Sequence, residues 1–279
     1  MKVLVTGYNG QLGFDVIKEL ESRHIHCKGV DMADFDITDS EATKKYIDDY
    51  APDAVIHCAA YTAVDKAEDD EENCFKVNTV GSENIAKVCG KNDIKMVYVS
   101  TDYVYGGSGT EPFETTDPTN PCNIYGKSKL QGEEAVAKHC KKYFIVRTSW
   151  VFGINGNNFV KTMLRLGDSY DKLNVVCDQI GSPTYTPDLA KLLCNMIETD
   201  KYGIYHGTNE GLCSWAEFAE EIMKQGKKST VINPVSTAEY GAKANRPLNS
   251  RLSKKCLDDA GFSRLPSWQD ALSRFIKEL

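Results

Sequence analysis

The sequence predicts an α/β fold, a doubly wound parallel sheet of the Rossmann type with a smaller C-terminal α/β lobe. Three observations predict it. Short apolar runs alternate with stretches whose apolar residues recur every three or four positions. A glycine-rich turn separates the first such pair. Parallel strands need crossovers, and the intervening helices supply them.

Val3–Thr6 is an apolar run that breaks at Gly7, and Leu12, Val16, Ile17 and Leu20 then share one helical face, so the chain opens as strand, turn and helix. Cys27–Val30 reads as a second short strand ending at Asp31, and Thr38, Asp39 and Ser40 offer caps for a helix through Tyr50. Ala54–Ala59 has the continuous apolar character of a strand covered on both faces. The acidic stretch 68–73 reads as the solvated start of a helix, its carboxylates suited to the helix dipole. A helix is expected over 74–89, a strand over 95–100, a helix over 125–140 and a strand over 144–148. Beyond about residue 150 the rhythm loosens into a loop at 155–158, a short strand at 175–178 and helices at 187–198 and 214–224. The expected division is a Rossmann unit over 1–150 and a substrate lobe over 151–279 that sends segments back onto the first unit. The lobe would close over the carboxyl edge of the sheet, where open α/β folds bind ligands.

The 279 residues are 41% hydrophobic and 26% charged, the composition of a soluble globular protein rather than a disordered or fibrous one. The net charge is −7, with 33 Lys+Arg against 40 Asp+Glu and no long basic cluster, which argues against a nucleic-acid partner. A small anionic ligand is compatible with it, because a helix N-terminus binds phosphate whatever the global charge. The opening MKVLVTG is too short for a signal peptide or a membrane span, so a cytoplasmic protein with no membrane partner is expected. Ten cysteines, none closer than fifteen residues to the next and none in C-x-x-C, read as free thiols of a reducing compartment. His24 and His26 lack further ligands at metal spacing and read as surface histidines; no metal is predicted.

Gly7-Tyr8-Asn9-Gly10-Gln11-Leu12-Gly13 fits G-x-x-G-x-x-G between a strand and a helix, where missing side chains let backbone N–H groups reach a pyrophosphate. Asp31 lies 24 residues beyond Gly7, near the distance at which a carboxylate accepts from an adenosine ribose hydroxyl; a capping aspartate is the plainer alternative. Its charge would repel a 2′-phosphate, and Asp31–Ile37 holds no Lys or Arg, so NADH is favoured and NADPH left open. Tyr125 and Lys129 stand at i and i+4 of a predicted helix, where an ammonium would draw the phenol below its usual value near 10 and fit it for proton transfer. Thr101 ends a strand where its hydroxyl could meet a substrate carbonyl, although threonine at a strand end is also ordinary β-propensity.

The segments GYNGQLG, AAYTAVDKAE (59–68), VSTDYVYGG (99–107), NIYGKSKLQGE (123–133), RTSWVFG (147–153) and NNFVKTML (157–164) together resemble the dTDP-4-dehydrorhamnose reductases, of the extended short-chain dehydrogenase/reductase superfamily. The resemblance runs from residue 1 to about 200 and continues weakly through 246–250. It implies NAD(P)H-dependent reduction of the C4 ketone of dTDP-4-dehydro-6-deoxy-L-mannose to dTDP-L-rhamnose, a cell-surface polysaccharide precursor. Thr101, Tyr125 and Lys129 would be catalytic. Gly7, Gly10, Gln11, Leu12, Gly13, Asp31, Asp36, Ile37, Ala60, Tyr61 and Thr62 would line the dinucleotide, with Tyr125 and Lys129 at its nicotinamide end. Val64, Thr101, Asp102, Tyr125 and Trp150 would meet the dTDP-sugar, with Trp150 offering a flat face to the pyranose. Arg246 is a weak candidate for the substrate diphosphate. Some relatives dimerise through Mg²⁺-binding carboxylates; here Thr186-Pro187-Asp188 stands where a Glu would be expected, so a monomer or a homodimer without a predicted metal follows. Two other readings share the scaffold: a sugar-nucleotide epimerase or dehydratase that retains NAD, and a non-catalytic nucleotide-binding subunit, against which the intact Thr101, Tyr125 and Lys129 set argues.

Overall fold

In the computed structural model, which describes residues 1–279, six strands form one sheet. They are β1 (Lys2–Thr6), β2 (His26–Val30), β3 (Ala54–His57), β4 (Lys95–Thr101), β5 (Tyr143–Thr148) and a late strand, Gly203–His206. The spatial order is Gly203–His206, β5, β4, β3, β1, β2, and every neighbouring pair is parallel. The order reverses between β1 and β3, so a crevice opens at the carboxyl ends of those two strands.

Alternation along each strand sorts the core into two layers. Val3, Val5, Ala54, Ile56, Val97, Phe144 and Val146 pack against helix α1 (Gln11–Ser22) and the helix Thr186–Ile197. Leu4, Val55, Met96, Tyr98 and Ile145 pack against α2 (Ser40–Tyr50) and the helices Ser82–Lys91 and Ile124–His139. Asp39 caps α2 as its sequence position predicts, its side chain accepting from Glu41 N and Ala42 N at 2.9 and 3.0 Å.

Two differences from the sequence expectation shape the sheet and the site. The helix expected over 74–89 is a composite: an α-turn Glu71–Phe75, a wider π-helical turn Lys76–Gly81, and the α-helix Ser82–Lys91. The wide turn carries Asn78 inward, where its Oδ1 accepts from Tyr61 N at 2.8 Å and its Nδ2 donates to Tyr61 O and Ser128 Oγ at 3.1 and 3.0 Å. The second difference is Gly203–His206, which adds a sheet strand to the edge of β5 in a stretch where no strand is predicted. Residues 186–206 and Leu257, Phe262 and Leu265 thereby complete the first layer.

A second core gathers Phe152 from the short strand Val151–Phe152 with Val160, Phe218, Trp268 and Phe275 from the helices Phe159–Gly167, Trp215–Gln225 and Trp268–Glu278. The parallel pair Lys172–Val176 and Val231–Val235 packs beside it. No helix is long and apolar enough to cross a membrane.

Candidate active site

The carboxyl ends of β1 to β5 open into one cleft of about 900 Å³. Gly7 follows β1 with φ +69°, a left-handed conformation that favours glycine. A Cβ on Gly13 would lie 2.2 Å from Gly7 O, so only glycine lets α1 pack this close to the turn. The N-cap of α1 is Gly10, which supplies no capping side chain, and the first-turn N–H groups face the cleft without one. This cradle and the free helix N-terminus fit a dinucleotide pyrophosphate. Across the turn lies the loop before helix Phe159–Gly167. Asn155 Nδ2 donates to Asn9 O and Gly10 O at 2.6 and 3.3 Å, and Asn158 Nδ2 donates to Gln11 Oε1 at 3.1 Å.

At the end of β2, Asp31 lies on the rim, its Oδ1 accepting from Met32 N at 2.9 Å. Asp36 accepts from Thr38 N at 2.8 Å, and this bond holds its carboxyl below the usual range. Ile37 rests over Gly81, where a Cβ would come within 2.8 Å of it. No Lys or Arg from this rim lines the cleft. Ala60, Tyr61 and Thr62 follow β3 along the floor, with Val64 beyond them.

The reactive end is built where β4 meets the helix Ile124–His139. Asn123 caps that helix, its Oδ1 accepting from Gly126 N at 2.7 Å, and a Cβ on Gly126 would lie 2.3 Å from Tyr103 O. Tyr125 and Lys129 therefore stand one turn apart beside Thr101 and Asp102. Lys129 is 2% exposed, with Nζ 4.0 Å from the Tyr98 ring centroid. Burial pulls its ammonium down to about 7, against the opposing charge of Glu133. Burial likewise pushes the Tyr125 phenol well above its usual value. This corrects the expectation that Lys129 draws Tyr125 down: enclosure disfavours both charged forms, and the ammonium sits over Tyr98 instead. Asp102 is pushed up to about 6 by burial, opposed by the hydroxyls of Ser250 and Thr101.

Beneath this end, Arg147 forms a buried pair with Glu133 at 2.7 Å and also donates to Tyr105 Oη at 2.5 Å, tying the helix to β5. Trp150 follows with φ +51°, and its ring stacks on Trp215 at 3.8 Å and 15°. All seventeen residues expected at the site, from Gly7 to Trp150, line this one cleft. The sequence reading missed Trp215, Ser149 and Asn157, which also line it. For Trp215 a local signal existed: Ser214 and Glu217 form a capping box that fixes it in the first turn of its helix. Ser100 Oγ and Thr148 Oγ1, also at the cleft, have no protein partner.

Two other expected residues lie elsewhere. Arg246 is outside the cleft lining, its guanidinium bonded to both Asp65 oxygens at 3.0 and 2.6 Å. Asp188 accepts from Arg274 at 2.9 and 2.6 Å and from Asn209 Nδ2 at 2.8 Å.

A glycine cradle on an uncapped helix, a carboxylate ending the next strand and a Thr, Tyr and Lys set across the crevice define a dinucleotide-dependent enzyme of the short-chain dehydrogenase/reductase type. The family model described as the RmlD substrate binding domain matches residues 1–279. The chain is 41% identical to the spore coat polysaccharide biosynthesis protein SpsK of Bacillus subtilis, covering 99% of this chain and 97% of that protein. It is 39% identical to the dTDP-4-dehydrorhamnose reductase of Aggregatibacter actinomycetemcomitans, with 97% of each covered. The crystal structure of dTDP-4-dehydrorhamnose reductase from Bacillus anthracis in complex with NADP superposes with a TM-score of 0.97 at 43% identity, covering 100% of this chain and 99% of that one. The chain belongs to the dTDP-4-dehydrorhamnose reductase family.

Proposed function

We propose that this protein reduces the C4 ketone of dTDP-4-dehydro-6-deoxy-L-mannose with a nicotinamide dinucleotide, giving dTDP-L-rhamnose for cell-surface polysaccharide. The observation that carries this reading is the convergence of Thr101, Tyr125 and Lys129 on the crevice that the glycine cradle opens into. When bound, the reduced nicotinamide supplies the hydride.

Tyr125 carries its proton at neutral pH, as any phenol does, and burial holds it more firmly, so it enters the reaction as an acid and protonates the oxygen that develops negative charge at C4. Lys129, its ammonium pulled down to about 7 by burial, holds the nicotinamide ribose. Thr101, its own proton given to Asp102, offers a lone pair to the neighbouring Tyr125 phenol and so orients it before the proton moves. Gly10, Gln11 and Leu12 present N–H groups to the pyrophosphate, with Gly7 and Gly13 shaping the turn, and Ala60, Tyr61 and Thr62 flank the dinucleotide. Asp31 accepts from the adenosine ribose and, with Asp36 and Ile37 beside it and no cation on that rim, gives NADH the advantage over NADPH. Val64, Asp102 and the Trp150–Trp215 stack form the sugar side. The enzyme acts in the cytoplasm, as a monomer or homodimer.

The test is to mix the protein with the 4-ketosugar nucleotide and either NADH or NADPH, follow loss of reduced-nicotinamide absorbance and identify the product. Stoichiometric oxidation with dTDP-L-rhamnose formed, and a higher kcat/KM with NADH, is expected. Conversion without net cofactor use would point to an NAD-retaining epimerase. Dinucleotide binding without turnover would point to a regulatory subunit.

A further inference from the structure

We infer that Ser250 is a positioning residue for this reduction: it holds the carboxylate of Asp102, which in turn fixes the hydroxyl of Thr101. The inference rests on the reading of Thr101 and Tyr125 as the reacting centre. Ser250 stands 148 residues beyond Asp102 in the chain, yet its Oγ donates to Asp102 Oδ2 at 2.5 Å. Thr101 Oγ1 donates to the other oxygen, Oδ1, at 3.0 Å. Ser250, Asp102 and Thr101 are all at least nine-tenths buried.

The chain places Ser250 firmly. Ser250 N donates to Ile180 O at 2.8 Å, Ile180 N to Leu248 O at 2.9 Å, and Asn249 N to Gly107 O at 2.9 Å. The Asn249 side chain ties the same segment to Glu111 O at 2.9 Å and, more loosely, to Ser108 O at 3.3 Å. A Cβ on Gly181 would lie 3.0 Å from Ser250 Cβ and equally close to the Trp150 ring, so glycine there lets this segment sit against the sugar side of the cleft.

The chemistry follows from counting protons. A threonine hydroxyl has one proton, and Asp102 takes that of Thr101. Thr101 Oγ1 also accepts from Tyr103 N at 3.2 Å, so the rotor is fixed and the rest of Oγ1 is left to Tyr125, which it neighbours. An ionised Asp102 is needed for that arrangement, and no cation bonds to it; hydroxyls and backbone N–H groups stabilise it. The titratable groups that face it are Tyr103 after β4, Tyr125 from the helix and Cys122 from the preceding loop, and each holds its proton more firmly because of the Asp102 charge. Ser250 is therefore one of two side-chain donors keeping a buried carboxylate ionised beside the reacting oxygens.

The test compares wild type, Ser250→Ala, Asp102→Asn and the double variant. In Ser250→Ala, loss of a charge-assisted hydrogen bond moves the acid limb of the kcat profile upward by about one pH unit. In the Asp102→Asn background, Ser250→Ala adds no further loss of kcat. An unmoved acid limb, or effects that multiply in the double variant, would overturn the inference. A readout without turnover separates it from the proposed function. The Tm deficit of Ser250→Ala relative to wild type should be larger at pH 8, where Asp102 is ionised, than at pH 5, where it is protonated. A wild type that does not oxidise reduced nicotinamide refutes the proposed reduction and the positioning role with it. Equal deficits at the two pH values refute the charge-holding contact itself.

Discussion

Replacing Gly13 and Gly10 one at a time by alanine separates the two tasks of the glycine turn. At Gly13 the new methyl would lie 2.2 Å from Gly7 O and 2.8 Å from Gly7 C and Tyr8 Cα, all backbone atoms that cannot rotate away. An ordinary carbon–oxygen contact needs about 3.3 Å, so α1 or the turn must move by about 1 Å. Overpacking of that kind costs about 1–3 kcal/mol and lowers Tm by several degrees. The same displacement carries the first-turn N–H groups away from a pyrophosphate, and a misplacement of about 1 Å is worth about 10²-fold in kcat/KM. At Gly10 the methyl meets only Gly7 O, at 3.2 Å, so the fold loses at most about 1 kcal/mol through a poorer N-cap. That methyl nevertheless projects where the pyrophosphate approaches, and dinucleotide Kd should rise at least about tenfold, or 1.4 kcal/mol. Thermal melts and fluorescence titrations with NADH read the two effects separately. Equal Tm values for the two variants, or wild-type NADH affinity in Gly13→Ala, would refute the packing and pyrophosphate arguments respectively.

Tyr125→Phe should lower kcat by about 10²–10⁴ while leaving NADH affinity nearly unchanged; turnover close to wild type would remove Tyr125 from the acid role. Lys129 has a pKa of about 7, and a bound anionic dinucleotide favours its charged form, so NADH binding takes up a proton. Affinity should therefore fall as pH rises from 7 to 9, and Lys129→Met should flatten that slope in calorimetric titrations. Burial holds His57 and His206 down to about 3, against 6.5 in an unfolded chain. The unfolded state thus binds more protons below pH 6.5, and stability should fall from there towards pH 3; a urea midpoint equal at pH 7 and pH 4.5 would contradict this.

Much of this architecture is local enough to be read from the residues. Val3–Val5, Ala54–Ile56 and Met96–Tyr98 are fully buried on both faces, which is why each appears as an unbroken apolar run. Gly203–His206 escapes such a reading because four residues opening on glycine carry too little pattern, and their strand character comes from the edge of β5. The π-helical turn at Lys76–Gly81 is equally silent: apolar spacing reports a helix, whereas the widening comes from Asn78 meeting Tyr61, 17 residues away. In the site, glycine spacing, a strand-end carboxylate and an i, i+4 pair are short-range features and were legible. Spacing placed Tyr125 beside Lys129 but could not say how dry their surroundings are, and dryness decides the direction in which each titrates. Trp215 meets Trp150 and Ser250 meets Asp102 across 65 and 148 residues, and although a capping box marks the start of the Trp215 helix, no local pattern names these partners.

Completion of the sheet by Gly203–His206 constrains how the chain can be made and cut. A growing polypeptide that has left the ribosome only as far as β5 presents Tyr143–Thr148 as an open, apolar edge, and Leu189, Leu193 and Ile197 are not yet there to cover the layer beneath. The nascent nucleotide-binding half must wait for about sixty further residues, including the start of the second lobe, before its hydrogen-bond ladder closes. A fragment ending at residue 150 would carry every motif of the dinucleotide site and still leave the edge of β5 unpaired and prone to aggregation, so expressed fragments and domain swaps should be cut to retain the strand that returns late.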